Sequence, residues 1–170
     1  HNVSSAASDV YKRQEYSNDI INLQLDGKYL LQNKEDNFFI KYKGNQNNFK
    51  LYTLLNFNDI DVRIDEIQYL KRKNIPSKLE ILLNKSTNGF NLQKISFTDN
   101  KNYISLNNLY ISDDFKLQSV DKIDVNFFNS KGVQNNFQIK KNSNNYQFVG
   151  NHIDGEKICE KLLKMGLHMF

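Results

Sequence analysis

The sequence predicts a mainly β chain: an antiparallel meander forming one elongated sheet, followed by one short C-terminal α-helix. Three observations carry this. Apolar residues recur with a period of two, which sets one group of side chains on each face of a half-buried strand. The segments so patterned are joined by polar turns short enough to demand antiparallel neighbours. Finally, 39% of the residues are hydrophobic, including 12 Phe and 9 Tyr, enough to build a core rather than a disordered chain.

The elements follow in order. Strands are expected at Asp19–Leu25 and Phe38–Lys43. Phe49, Leu51, Thr53, Leu55 and Phe57 then alternate with Lys50, Tyr52, Leu54 and Asn56, and Ile60, Val62 and Ile64 with Asp61, Arg63 and Asp65. The single proline, Pro76, sits in a turn after Tyr69-Leu70, where it is harmless; inside a central strand it would not be. Leu79, Ile81 and Leu83 alternate with Lys78, Glu80 and Leu82, and Ile123, Val125 and Phe127 with Asp124, Asn126 and Phe128. Further strands are expected at Phe90–Phe97, Tyr103–Leu106, Leu109–Ser112, Phe115–Ser119, Phe137–Lys140 and Tyr146–Val149.

The turns are Lys43-Gly44-Asn45, Thr87-Asn88-Gly89, Asp99-Asn100-Lys101, Ser130-Lys131-Gly132 and Asn142-Ser143-Asn144, all rich in residues that tolerate positive φ. The stretches 39–51 and 137–148 echo each other: apolar alternation, a basic-polar turn, Asn-Asn, then aromatic-x-apolar. Either any two Asn-rich hairpins look alike, or a strand unit repeats along the sheet. The period changes at the tail. Asp154 is placed as an N-cap, and Ile158, Leu162 and Leu163 form one stripe of an amphipathic helix over 156–164, which Gly166 ends.

Ser4 through Gln14 back-translates in frame into a transposase adapter oligonucleotide used in short-read library preparation. Such a segment is set aside before fold reasoning. Residues 1–14 are therefore expected to be non-native and disordered, 15–150 to be the sheet domain, and 151–170 the helix and tail. The native chain is expected to be an internal fragment of a longer protein.

Charge excludes one class of partner. The chain has 23 basic and 19 acidic residues, and without Asp9, Lys12 and Arg13 its net charge is +3. The basic residues are interspersed with acids and form no stripe, so no nucleic-acid partner is expected. Frequent Asn and Lys fit AT-rich coding sequence. The single cysteine, Cys159, forms no internal disulfide, which suits a reducing compartment or a disulfide-free periplasmic protein. No apolar run approaches the ~18 residues of a spanning helix.

Catalytic chemistry is also missing. His152 and His168 have no Cys or carboxylate at ligand spacing, so no metal site is expected. Cys159 lacks a companion histidine, and Asp113-Asp114 and the carboxylates of Asp59–Asp65 suit solvated turns. No phosphate loop, dinucleotide fingerprint or nucleophile elbow occurs. These absences argue against an enzyme. A long sheet with one apolar face must hide it: as a plain β-sandwich core, or as a trough for something greasy.

A family resemblance bears on that choice. The phrases Leu79-Glu80-Ile81-Leu82-Leu83-Asn84 and Ile104-Ser105-Leu106-Asn107-Asn108-Leu109-Tyr110-Ile111 are of one type. With the closing Phe148-Val149-Gly150-Asn151-His152-Ile153-Asp154-Gly155 and the helix after it, residues 20–164 resemble a segment of the AsmA-like superfamily, of the YhdP/TamB type. The resemblance implies a periplasmic protein held in the inner membrane by an N-terminal anchor not present in this chain. It implies that the elongated sheet is curved and groove-like and conducts phospholipid towards the outer membrane, with no enzymatic activity and no cofactor. Acyl chains would slide over groove residues, for which the candidates are Leu51, Leu55, Val62, Ile64, Leu79, Ile81, Leu83, Ile123, Val125 and Phe127. A one-residue register slip would exchange this set for its neighbours. Two other classes stand beside it: a β-rich structural or adhesive surface module with a self-covered core and no ligand, and the accessory domain of a catalytic protein.

Overall fold

The computed structural model describes residues 10–17, 19–143 and 145–156. Its strands are β1 (Tyr11–Ser17), β2 (Ile20–Leu31), β3 (Lys34–Gly44), β4 (Phe49–Asn56), β5 (Val62–Ile64) and β6 (Tyr69–Lys71). They continue as β7 (Ser77–Ser86), β8 (Gly89–Asp99), β9 (Asn102–Ile111), β10 (Leu117–Phe128), β11 (Gln134–Asn142) and β12 (Asn145–His152). Ten of them form one open antiparallel sheet in the order β1-β2-β3-β4-β7-β8-β9-β10-β11-β12. The meander expected from the short turns is therefore present, with one interruption between β4 and β7.

The hairpins show why the connections are short. β2 and β3 meet at Gln32-Asn33, both at positive φ (53° and 58°), the geometry whose twist matches the flanking strands. At the β3–β4 loop the Asn45 side chain accepts from the main-chain N–H groups of Asn47 and Asn48 at 3.0 and 2.9 Å, an Asx turn in place of a ladder. Gly89 opens β8 at φ +120°, and a Cβ there would collide with the Ile111 carbonyl. The two echoing hairpins differ in their turns: Gly44 pairs with Phe49 across a longer loop, whereas Asn142 pairs with Asn145.

Several boundaries differ from the sequence reading: β2 and β3 run on to meet at Gln32-Asn33, past the expected ends at Leu25 and Phe38. The segments expected at Tyr103–Leu106 and Leu109–Ser112 form one strand, β9, because Asn108 takes a left-handed φ of 51° inside it rather than ending it. Asparagine tolerates that region better than most residues. The pattern from Phe115 likewise runs into β10, although Phe115 itself stays in the preceding turn at φ 60°. The segment Ile60–Asp65 lies outside the sheet: only Val62–Ile64 is strand, paired with β6 in a separate two-stranded ribbon. Lastly, β1 starts at Tyr11, so residues 11–14 lie in an edge strand rather than disordered. Edge pairing runs through main-chain groups and asks little of the sequence beyond a lack of proline. Among the described residues the only complete helical element is the 3-10 turn Asp65–Ile67; of the helix expected over 156–164 all but Glu156, and with it Cys159, lies outside them.

Residues 57–76 leave the sheet after β4 and fold back over one end of one face. There Tyr69 packs against Val125, Phe127 and Phe137, with Val62, Ile64 and Ile67 beside it. The Tyr69 ring meets Phe127 and Phe97 edge-on at 5.3 and 5.8 Å, the arrangement that aromatic quadrupoles favour. This is the buried core. It sits at one end of the sheet rather than along it.

Candidate functional site

Directly opposed residues of an antiparallel ladder share a face, and successive residues alternate. The register therefore fixes what each face presents. From Leu25 on β2 one ladder row passes through Ile40, Thr53 and Ile81 to Ile95. It continues through Leu106, Ile123 and Ile139 to Phe148 on β12. A second row on the same face starts at Phe38, Leu55, Leu79 and Phe97 and ends in Ile104, Val125 and Phe137. A third begins at Leu23, Tyr42, Leu51 and Leu83, where the ladder shifts by a bulge. The longest row crosses nine strands, roughly 38 Å at ~4.8 Å per strand.

The opposite face is mixed. Glu80, Ser96, Ser105 and Asp124 oppose one another in sequence across β7 to β10. Lys94 pairs with Glu80 at 2.6 Å and Lys122 with Asp124 at 2.7 Å, while Tyr103 donates to Asp124 at 3.2 Å. In the earlier strands this face carries a small apolar patch, with Phe39 edge-on to Tyr52 at 6.0 Å.

Of the ten groove candidates, eight share the apolar face: Leu51, Leu55, Leu79, Ile81, Leu83, Ile123, Val125 and Phe127. Val62 and Ile64 sit instead on the excursion that covers it. Val125 and Phe127 are buried beneath that cover; the other six on the sheet are half-buried, and among the described residues no second sheet lies over them. Sequence reasoning missed Tyr69, Phe97, Ile104 and Phe137 as members of the core. Phe97, Ile104 and Phe137 stand in segments recognised as strands, but which rows they join depends on pairing partners that periodicity does not supply; Tyr69 stands outside every expected strand.

The cover is fastened by polar groups that no sequence pattern announced. Lys71, 1% exposed, donates its ammonium to the carbonyl oxygens of Phe57, Asn58 (2.9 Å) and Ile60 (2.8 Å). Asp36, also buried, accepts from the Asn58 main-chain N–H and side-chain amide. Tyr69 donates to Asp99, which also accepts from Asn102 at 2.7 Å, and Tyr29 donates to the Asn56 carbonyl. Burial lowers Lys71 from the ordinary lysine value, opposed in part by Asp36 and Asp61. Burial and the Asp99 hydrogen bond hold Tyr69 well above the ordinary tyrosine value, and burial, then Asp36, pushes Tyr29 up to about 12.

These shifts set an alkaline limit. Folded Tyr29 and Tyr69 keep their protons to higher pH than in the unfolded chain, so their contribution is complete below pH ~10 and is lost as pH rises towards 12. Lys71 works the other way, since it releases its proton earlier when folded, but its effect acts below the ordinary lysine value of 10.5 and is spent above it. Urea unfolding at rising pH is expected to show stability falling from pH ~10 upward, with a shallower fall in Tyr69→Phe. A flat profile through that range would refute the assignment.

Among the described residues no group of His, Cys, Asp and Glu is placed to hold a metal ion, and no helix is long and apolar enough to cross a membrane. Comparison of the chain with protein-family models, with curated proteins and with solved structures gives no match.

Proposed function

We propose that the apolar sheet face binds phospholipid acyl chains, and that the chain is a segment of an AsmA-like, periplasm-spanning protein that passes lipid between the inner and outer membranes. The observation that supports this most is the set of ladder rows on one side of an open sheet, half-buried and, among the described residues, covered only at one end. Apolar surface of this extent gains ~25 cal/mol per Å² on leaving water. Acyl chains lying along the rows would remove it while headgroups stay in solvent. The rows run across the strands, so the path would lengthen with every strand added. A curved, groove-like sheet is part of the same reading. The second reading is a structural or adhesive module that covers its own face; the excursion over Val125 and Phe127 favours it at that end.

Mass spectrometry of lipids co-purifying with the detergent-free chain separates the two. Stoichiometric phospholipid is expected, lost in Ile81→Asp on the apolar face and retained in Leu82→Asp on the other. Folded, lipid-free protein would instead establish the self-covered module. Circular dichroism of both variants checks that the sheet persists.

A further inference from the structure

The sheet's two edges are built differently. At one, β1 carries Lys12, Arg13 and Glu15, with Arg13 and Glu15 paired at 2.8 Å. Charges of this kind blunt an edge against other strands. At the other, among the described residues β12 pairs with β11 alone, every one of its residues is exposed, and it contains no Lys, Arg, Asp, Glu or Pro. Its ladder with β11 stays regular from Asn145 to Gly150 and shifts only beyond that. The outward N–H and C=O groups of this stretch are thus a regular, uncharged template. Its side chains are apolar for an edge: Tyr146, Phe148 and Val149 are 52%, 51% and 46% exposed. Phe148 also ends the longest apolar row and stacks on Phe137 at 5.2 Å.

We propose that this edge is a self-association surface, at which two copies of the chain pair β12 to β12 through main-chain hydrogen bonds. Self-pairing fits these residues for three reasons. A two-fold axis perpendicular to the sheet makes the new pair antiparallel without further adjustment. The same axis keeps both apolar faces on one side, so the row ending at Phe148 meets its counterpart. And an uncharged strand opposes itself with no like-charge repulsion, which a pairing of β1 with β1 would not avoid. Near the axis, the aromatic side chains of one copy face Gly150 of the other. A Cβ at that glycine would lie 2.5 Å from the Phe137 Cβ, so the position admits no side chain of its own. The product is one sheet of twice the strand number with a continuous apolar side.

The inference is independent of what the apolar side binds, and the two fail separately. Sedimentation equilibrium of the full chain is expected to give a dimer. Val149→Lys, at an exposed edge position on the polar face, is expected to leave a folded monomer, and Ile81→Asp to remain dimeric. Hydrogen exchange of the dimer is expected to protect the β12 amides relative to Val149→Lys. A wild-type monomer at all concentrations would overturn the proposal, including one whose β12 amides are protected by other residues of the same chain. So would a dimer that survives Val149→Lys but is lost in Ile81→Asp, which would place the contact on the apolar face.

Discussion

Phe127→Ala is expected to be the most destabilising single truncation in the sheet, at about 3–5 kcal/mol. Phe127 is 1% exposed and touches the Tyr69 ring edge-on at 5.3 Å. Few apolar side chains are fully buried, and most of those lie beneath the excursion, so the core has little material with which to refill a cavity. The same substitution at half-buried Ile123, two turns of the pleat away on the same face, is expected to cost less than half as much, since its side chain already meets solvent. Urea unfolding of the two variants checks this. Equal losses would mean that the sheet is stabilised evenly along its length, against the concentration of buried residues at one end.

Lys71→Met is expected to loosen the cover itself. Methionine keeps the length and apolar stem of lysine but has no donor. The carbonyls of Asn58 and Ile60 lose the ammonium, while that of Phe57 keeps its bond from the Ser77 hydroxyl at 2.8 Å. A buried carbonyl without a donor costs about 1–3 kcal/mol, and relief from burying a cation returns part of that, leaving a net loss of about 3 kcal/mol. The loss is expected to be local: amide exchange across 57–76 should quicken while the central strands β7 to β10 are unchanged. Should the variant be as stable as the parent, with exchange unaltered, Lys71 would be a passenger in the cover and its carbonyl bonds would carry no weight.

What the sequence revealed, and what it hid, follows from the range of the interactions. Alternation at Leu79-Ile81-Leu83 and Ile123-Val125-Phe127 is a local property of each strand, and it placed these residues on one side correctly. That they share a side across β8 and β9 is a matter of register, which the short turns transmit from strand to strand. Val62 and Ile64 alternate just as cleanly, yet they lie on the cover. Alternation cannot tell a strand in the sheet from one laid upon it. Lys71 was invisible for a different reason. A lysine between a leucine and an arginine reads as a solvent-facing charge, and only the return of the chain over itself supplies the three carbonyls that bury it. Asn108 misled in the opposite sense, because Asn-Asn ordinarily marks a turn.

The meander has a kinetic consequence. Each strand of the large sheet pairs only with its neighbours in sequence, apart from the step from β4 to β7 around the excursion. Loop-closure entropy is therefore small at nearly every step, and pairing can spread from any hairpin without waiting for a distant partner. Such a chain behaves as a one-dimensional array of nearest-neighbour couplings. The one long closure, β4 onto β7, also assembles the cover, so it is the step expected to limit the rate. Lengthening the 57–76 connection should then slow folding, whereas lengthening the turn at Ser143 should leave the rate almost untouched.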